Sequence, residues 1–277
     1  MRVLITGCDG FIARNLTTYL AKNHTVVSTN RYTLNVLNVV DVTQFFKKNS
    51  IDVVVHTAVS GGKRNKPDNL QTLIGNLKMF NNLSENKDKF KALIHFGSGA
   101  EFDRRTDIIS AAEDEASNPT DYYGLSKKII KREIDKIDNF YNLRIFGCFG
   151  PDEEDARFIR SSFQNIAKNK PIVIHQNRYM DFFSINDLCS VTNFYINNFM
   201  KKSLPKDINL CYNNKQTLLD LAKKINDLTG NGNKSIVIEK PGYYNEYTGD
   251  GSKIKSLRID LLGLKEGLKR YIDVRKT

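Results

Sequence analysis

Short apolar segments alternate with longer amphipathic ones through the first half of the chain, and this alternation constrains the fold more than any other feature. The apolar segments are RVLIT, TVVST, IDVVVH, KALIHF and NLRIF, in chain order. Because their apolar residues follow one another instead of alternating with polar ones, they predict strands that are buried on both faces. The segments between them carry apolar residues at helical spacing. Strands separated in this way by helices predict a doubly wound α/β domain with a parallel sheet.

The alternation becomes less regular after the segment GCFGPDEEDAR, which indicates a second, smaller lobe of mixed α/β structure. We therefore predict a Rossmann-type domain at residues 1–150 and a mainly substrate-binding lobe at residues 151–277. The two are expected to be interleaved, with a segment at about 183–212 returning to the first domain. After the strand SIVIE we expect a basic tail.

The composition excludes several classes of protein. The chain has 277 residues, 40% of them hydrophobic, and a formal net charge of +11. Its lysines are dispersed, so we expect no nucleic-acid partner. The positive charge suits a small anionic ligand such as a nucleotide diphosphate; the alternative is that most of the lysines only solvate the surface. No apolar segment approaches the length of about 18 residues typical of a membrane span, and the chain opens directly with a strand, so a cytoplasmic protein without a membrane partner is expected. The scattered cysteines and histidines, four of each, predict neither disulfides nor a metal site.

The segment ITGCDGFIARNL joins the first predicted strand to the first helix through a turn that contains glycine. Gly7 and Gly10 occupy two positions of a dinucleotide-binding turn, and Phe11 and Ile12 begin the helix. Ala13 stands where a third glycine is usual, and it adds only one methyl group. Glycine lets the backbone approach a phosphate, and a helix N-terminus presents free N–H groups with a positive partial charge. The turn therefore predicts a site for the pyrophosphate of a dinucleotide.

Several motifs resemble those of the extended short-chain dehydrogenases/reductases, a family of nucleotide-sugar epimerases, dehydratases and reductases. The opening turn is similar to the family's T-G-x-x-G-F-I-G segment, and Tyr123 and Lys127 match its Y-x-x-x-K arrangement. Ser98 follows a predicted strand at the place where the family carries an active-site Ser or Thr. The segment NRYMDFFSINDL is similar to the family's R-D-F-x-x-V-x-D stretch, with two additional residues after Arg178. The resemblance extends from residue 2 to about residue 268.

The resemblance implies that Ser98, Tyr123 and Lys127 carry the chemistry together with a nicotinamide cofactor. Residues four apart on a helix share a face, so Tyr123 and Lys127 can point into the same cleft and contact the cofactor there. A lysine ammonium lowers the pKa of a nearby phenol, as proton transfer near neutral pH requires. Ser98 would form a hydrogen bond with the reacting oxygen of the substrate. The nicotinamide would exchange a hydride with the substrate.

The predicted cofactor is NADP(H). An acid about 20 residues after the glycine turn is typical of NAD selection, and none occurs between Asp9 and Asp41. Arg31, with Asn30 beside it, therefore predicts a clamp for the 2′-phosphate; an ordinary surface arginine is the alternative. A resemblance to fucose-synthase-like and rhamnose-pathway reductases adds candidates near the cofactor, which are Asn35, Val36, Ala58 and Asn76. For Asn76 an amide on the helix surface remains the alternative.

The implied substrate is a nucleotide-diphosphate sugar, and a homodimer is a candidate assembly. Besides Ser98, four basic residues of the second lobe are candidates for binding it, because guanidinium and ammonium groups suit phosphate oxygens. They are Arg157, Arg160, Arg178 and Lys253.

The residues around the predicted site favour reduction over the family's other reactions. Gly99 and Ala100 follow Ser98 where the family's dehydratases carry an Asp-Glu pair, and the segment EEDARFIRSSF lacks the histidine of fucose-synthase-like epimerases. We therefore predict an NADP-dependent oxidoreductase that reduces a nucleotide-activated 4-keto sugar without epimerising it. An NAD(P)-dependent C4 epimerase is one alternative. A non-catalytic NADP-binding sensor is the other, although such relatives typically lack the tyrosine or the lysine.

Overall fold

The secondary structure comes from a computed structural model that describes residues 1–63, 66–201, 204–230 and 235–276. The strands in chain order are β1 Arg2–Thr6, β2 Thr25–Thr29, β3 Val53–His56, β4 Ala92–Ser98, β5 Ile108–Ala111, β6 Phe140–Ile145, β7 Cys148–Phe149, β8 Ile172–Asn177, β9 Phe183–Ser184, β10 Asp207–Leu210, β11 Ile236–Tyr243 and β12 Tyr247–Gly249. The α-helices are α1 Phe11–Leu20, α2 Val39–Lys48, α3 Leu70–Ser84, α4 Tyr122–Ile134, α5 Phe158–Ala167, α6 Ile185–Asn198, α7 Leu218–Leu228, α8 Ser252–Ser256 and α9 Gly263–Lys276. Two 3₁₀ turns span Lys87–Lys89 and Gly99–Glu101.

A central six-stranded sheet has the order β10-β6-β4-β3-β1-β2. Strand β1 pairs in parallel with both β2 and β3, and β3 pairs in parallel with β4. The register places Thr6 beside His56 and His56 beside His95. The strands Val53–His56 and Ala92–Ser98 are buried along their whole length, as their apolar sequences predict. The predicted doubly wound, Rossmann-type α/β fold is confirmed.

Local capping signals fix where the helices that carry site residues begin. The carboxylate of Asp121 accepts a hydrogen bond of 2.7 Å from the Gly124 N–H and so caps α4. The Asn69 side chain caps α3 by accepting from the Thr72 N–H, and the Thr72 hydroxyl in turn accepts from the backbone N–H of Asn69. Because these bonds satisfy N–H groups that have no partner within the helix, they define the first residue of each helix.

The chain divides into two compact units. The first comprises Met1–Asp103, Glu115–Arg144 and Cys189–Ile208, and the second comprises Arg104–Asp114, Ile145–Leu188 and Asn209–Thr277. The segment Arg104–Asp114 therefore belongs to the second unit, whereas the sequence-based division at residue 150 assigned it to the first domain.

Each unit has its own apolar core. In the first, Leu4, Val54 and Leu93 of the sheet pack with Phe80 of α3 and Ile130 of α4, among other residues. The core of the second gathers residues from α5, β8, α7 and α9, including Phe158, Ile172, Leu221, Leu268 and Tyr271.

The basic segment that follows SIVIE is folded rather than extended, because α9 contributes two residues to the core of the second unit. Leu268 and Tyr271 are buried there, three residues apart on the same face of the helix. In the part of the chain that the structure describes, no helix has both the length and the apolar composition needed to cross a bilayer.

Candidate active site

The turn between β1 and α1 has the geometry of a phosphate cradle. Gly7 has a φ of +69°, and a Cβ at this position would lie 2.8 Å from the Cα of Ala58, so only glycine fits. The Gly10 N–H donates to the Gly7 carbonyl over 3.0 Å and closes the turn. Helix α1 has no acidic residue in its first turn, and Phe11 and Ile12 are its first two residues, both half-buried. These features fit the pyrophosphate of a dinucleotide.

Ala13 replaces the third glycine of this turn without disturbing the packing. The residue is buried on α1 at 1% exposure. The helix therefore accommodates the additional methyl group, as expected from the sequence.

The chain after β2 forms a compact turn that presents Arg31 at the surface. The Asn30 side-chain oxygen accepts hydrogen bonds from the backbone N–H groups of Tyr32 (3.0 Å) and Thr33 (3.3 Å). Its amide nitrogen lies 3.5 Å from the Asp9 carboxylate. A carboxylate thus lies near the end of β2 although no acid follows this strand in sequence. The carboxylate of Asp9 and the exposed Arg31 thus both flank the Asn30 turn.

Three further predicted cofactor residues, Val36, Asn35 and Ala58, are held by hydrogen bonds in the first unit. Val36 is buried, and its carbonyl accepts a hydrogen bond from Asn82 over 2.8 Å. The Asn35 side chain accepts one from the Leu37 N–H over 3.2 Å. The Ala58 N–H donates to the Thr6 hydroxyl over 3.2 Å. Together with the Gly7 contact, this bond fixes the backbone at Ala58 beside the glycine turn.

Asn76 is buried, so the alternative of a surface amide is wrong. Its side-chain oxygen accepts from the Ser60 N–H over 2.8 Å, and its amide nitrogen donates to the Ser60 carbonyl over 3.0 Å. The same nitrogen donates to the hydroxyl of Ser126, also over 3.0 Å. Asn76 therefore connects the loop after β3 to α4, at the residue that precedes Lys127.

Ser98 ends β4 and caps the 3₁₀ turn Gly99–Glu101. Its hydroxyl oxygen accepts a hydrogen bond of 3.1 Å from the Ala100 N–H, and its own N–H donates to the Glu101 carboxylate over 3.2 Å. The side chain is 9% exposed. A hydroxyl whose oxygen accepts from the backbone can still donate its proton to another oxygen.

Helix α4 brings Tyr123 and Lys127 together, as their spacing predicts. The Lys127 ammonium lies 5.6 Å from the centroid of the Tyr123 ring. It donates to the Phe96 carbonyl over 2.7 Å and lies 3.4 Å from Nε2 of His95. Gly62 packs closely against the Tyr123 ring, because a Cβ at Gly62 would lie 3.0 Å from Cζ of Tyr123.

Burial controls the ionisation of three neighbouring groups, Lys127, His56 and His95. It lowers the pKa of Lys127 to about 8, while the negative charge of Glu101 acts in the opposite direction. Burial, with the charge of Lys127, also lowers the pKa of His56 to about 3 and that of His95 well below its usual value. Both imidazoles are therefore neutral near pH 7, and Lys127 is the group of this trio that is charged.

The four basic candidates for substrate binding all lie in the second unit, on different elements. Arg157 is the N-cap of α5, and Arg160 is the third residue of this helix. Arg160 is bound to the Asp155 carboxylate and donates to the Pro151 carbonyl over 2.6 Å. The Lys253 ammonium lies 3.3 Å from the buried Glu113 carboxylate.

Arg178, the fourth of these candidates, follows β8 and has aromatic neighbours. Its guanidinium carbon lies 5.1 Å from the Tyr244 ring centroid and 5.8 Å from that of Tyr247. These distances are typical of cation–π contacts.

Sequence reasoning missed three residues that shape the first unit's site. Gly124 follows Tyr123, and a Cβ there would lie 2.9 Å from the Ala100 carbonyl carbon, so glycine permits α4 to pack against the Ser98 turn. His95 lies beside Lys127, and Glu101 is buried behind Ser98. The S-x-x-E pattern from Ser98 to Glu101, a capping-box signature, could have revealed Glu101.

Comparison with known proteins places the chain near sugar-modifying enzymes. The model of the NAD dependent epimerase/dehydratase family matches residues 3–211. The chain is 25% identical over 265 residues to ADP-L-glycero-D-manno-heptose-6-epimerase of Brachyspira hyodysenteriae, a match that covers 84% of this chain and 78% of that protein.

Solved structures with under 25% identity share the fold. UDP-glucose 4-epimerase of Thermotoga maritima superposes with a TM-score of 0.82 at 17% identity and covers 100% of this chain and 99% of its own. The dTDP-4-dehydrorhamnose reductase of Clostridium acetobutylicum gives 0.80 at 19% identity, with 100% of both chains covered. GDP-mannoheptose C4 reductase of Campylobacter jejuni, with NADP bound, gives 0.77 at 21% identity and covers 100% of this chain and 98% of its own.

Proposed function

This chain belongs to the NAD-dependent epimerase/dehydratase family, and we propose that it reduces a nucleotide-activated 4-keto sugar with NADPH, without epimerising the sugar. The observation that carries the proposal is the arrangement of Tyr123 and Lys127. A buried ammonium lies 5.6 Å from the centroid of a phenol ring, on a helix that packs against the turn of Ser98. This arrangement suits a phenol that gives a proton to a carbonyl oxygen.

In this proposal Ser98 and Tyr123 act on the sugar carbonyl. The Ser98 oxygen accepts from the Ala100 N–H, which leaves its proton available to donate to the substrate oxygen. The Tyr123 hydroxyl donates the proton that converts the forming alkoxide to an alcohol. The Lys127 ammonium, with its own pKa of about 8, is largely charged at neutral pH and would stabilise the negative charge left on the phenol oxygen after proton transfer.

The cofactor is held by the first unit in this proposal. Gly7, Gly10 and the start of α1 bind the pyrophosphate, and Arg31 pairs with the 2′-phosphate. Asn35, Val36 and Ala58 line the groove around the glycine turn, and Asn76 fixes its wall through Ser60. The bound nicotinamide supplies the hydride.

The absence of an accessible acid after Ser98 favours reduction over dehydration. Gly99 and Ala100 carry no acid or base. Glu101, the next residue, is 1% exposed, and its carboxylate is bound to Arg144 over 2.9 Å. A carboxylate committed to a buried guanidinium is a poor general base. Removing water from the sugar would require an acid–base pair from elsewhere in the chain.

A C4 epimerase is the second candidate, and Asp9 is the observation that favours it. Its carboxylate lies near the end of β2, where an acid would bind the ribose hydroxyls of NAD. A C4 epimerase retains NAD and recycles it, whereas a net reductase consumes NADPH. Cofactor preference and net oxidation therefore distinguish the two candidates.

The test combines an absorbance assay with isotope placement. The protein is incubated with NADPH and a panel of UDP-, dTDP-, GDP- and CDP-linked 4-keto sugars, and the loss of absorbance of NADPH is followed. The expected product made in deuterium oxide carries no deuterium at C3 or C5, because no enolate forms. With NADPH deuterated at the transferred position, one deuterium should appear at C4.

Two results would contradict the proposal. Enzyme-dependent solvent label at C3 or C5, above a control without enzyme, would show epimerisation. Conversion of a 4-hydroxy sugar to its C4 epimer with bound NAD, without NADPH consumption, would establish the second candidate.

A further inference from the structure

A chain of buried charges lies directly behind the Ser98 turn. The Glu101 carboxylate accepts hydrogen bonds from Nε (3.0 Å) and a terminal nitrogen (2.9 Å) of Arg144. The same terminal nitrogen of Arg144 donates to the Asp207 carboxylate over 2.7 Å. Glu101 is 1% exposed and Arg144 is 2% exposed. Burying several charges is costly unless they are paired and hydrogen-bonded, so such a chain is kept in one geometry.

Glu101 differs from Asp207 because it also contacts the proposed catalytic turn. One oxygen of Glu101 accepts from the backbone N–H of Ser98 over 3.2 Å, while the other is bound to Arg144. Gly97 makes room for this contact, because a Cβ there would lie 2.8 Å from the same Glu101 oxygen. The position of the Ser98 backbone is thus tied to a buried ion pair rather than to a flexible loop.

The charge of Glu101 also acts on Lys127, and it opposes the effect of burial on the pKa of that lysine. The other titratable or charged groups around Lys127 are His95, at 3.4 Å from its ammonium, His56 and Tyr123. Both histidines are neutral near pH 7, so among these groups the carboxylate of Glu101 supplies the negative charge that acts on the buried cation. Glu101 lies on the Gly99–Glu101 turn, against which α4 packs at Gly124. The charges that face Asp207, by contrast, belong to Arg144, Glu101 and Lys131.

We infer that Glu101 is a positioning residue of the proposed active site: it holds the backbone of Ser98 and favours the charged form of Lys127. The inference rests on the proposed function for its catalytic meaning. Its electrostatic part concerns the resting protein and can be tested without turnover. A residue that only stabilised the fold would not change the titration of Lys127.

The test compares Glu101→Gln with Asp207→Asn. Each substitution replaces one of the two carboxylates that bind Arg144 by an amide of similar shape, but only Glu101 contacts the Ser98 turn. Lysine side chains are labelled with ¹³C at the ε carbon, the Lys127 resonance is assigned from its loss in Lys127→Met, and its chemical shift is followed with pH. In Glu101→Gln the pKa of Lys127 should fall by at least about half a pH unit, because a nearby opposite charge is removed. In Asp207→Asn it should stay at its wild-type value.

The same pair of variants makes a catalytic prediction. The alkaline limb of the kcat profile should move to lower pH in Glu101→Gln and should not move in Asp207→Asn. If Glu101→Gln does not fold, the double variant Glu101→Gln/Arg144→Gln replaces it and is compared with Arg144→Gln, so that the two proteins differ only in the charge of residue 101 and both leave Asp207 beside an amide. Equal Lys127 titration in wild type and in the folded Glu101 variant overturns the inference. Absence of ketoreductase activity in the wild type would overturn the proposed function, and the NMR titration would still decide the role of Glu101.

Discussion

Replacement of Gly124 by alanine should destabilise the protein and displace its proposed proton donor. A Cβ at this position would lie 2.9 Å from both the Ala100 carbonyl carbon and Cβ of Pro119, whereas ordinary contacts begin at 3.4 Å. The 2.9 Å contacts alone require the two sides to separate by about half an ångström, and the Ala100 carbonyl oxygen, which would lie closer still, requires more. Overpacking of this kind costs about 1–3 kcal/mol. The better helix propensity of alanine returns about 0.5–1 kcal/mol. The difference is a net loss of between about 0 and 2.5 kcal/mol, and the closeness of the Ala100 carbonyl oxygen favours the upper part of this range, about 2 kcal/mol.

Gly75 provides the matched control, because it lies within α3 and a Cβ there would have Cβ of Ser60 as its nearest neighbour, at 3.9 Å. Gly75→Ala should be neutral or stabilising by up to about 1 kcal/mol in urea unfolding. Since Tyr123 immediately precedes Gly124, the kcat of Gly124→Ala should fall by more than about tenfold, as expected for a misplaced catalytic group. Equal free energies of unfolding for the two variants would refute the close approach of α4 to the Ser98 turn.

Three further predictions concern the cofactor, the proton donor and the buried cation. Arg31→Ala should weaken NADPH binding by about 1.5–3 kcal/mol and NADH binding much less, and Asp9→Asn should strengthen NADPH binding. Fluorescence titrations with both cofactors measure these changes. If Arg31→Ala weakens both cofactors equally, Arg31 does not select between them. Tyr123→Phe should abolish most turnover with folding and NADPH affinity nearly unchanged, while Tyr122→Phe, at an exposed ring, should retain turnover; an active Tyr123→Phe enzyme would contradict the assignment. Burial lowers the pKa of Lys127 from 10.5 to about 8, so between these pH values the unfolded chain binds a proton that the folded chain has lost, and stability rises with pH. Relative to Lys127→Met, the free energy of unfolding of the wild type should therefore rise by about 3 kcal/mol from pH 8 to 10.5, and a constant difference in urea unfolding would contradict a buried ammonium.

The parts of the site that depend on local sequence were predictable. The strand, turn and helix around Gly7 follow from an apolar segment, two glycines and a helical period, and the structure has all three. The spacing of Tyr123 and Lys127 on one helix likewise places them on one face. In these cases the determining interactions lie within a few residues of each other.

Long-range pairings were not predictable from local patterns. Strand β5 pairs with β12, which follows it by more than 130 residues, and both are short segments without a clear period. The burial of Asn76 depends on Ser60 and Ser126, which belong to other segments of the chain. An asparagine on a helix has the same local sequence signature whether it faces solvent or a buried loop, so only tertiary packing decides between them.

The basic substrate candidates illustrate how the partners of a side chain change an expectation based on residue type. Arg160 and Lys253 are each bound to a carboxylate, so binding a diphosphate would require them to give up an existing ion pair. Arg178 contacts the ring faces of Tyr244 and Tyr247. Stacking of this kind uses the flat faces of a guanidinium, whereas its N–H groups point outward in its plane. A phosphate approaches in that plane, where the N–H groups point. Engaging a substrate anion at Arg160 or Lys253 therefore costs an existing ion pair, a cost that residue type and position in the chain do not reveal.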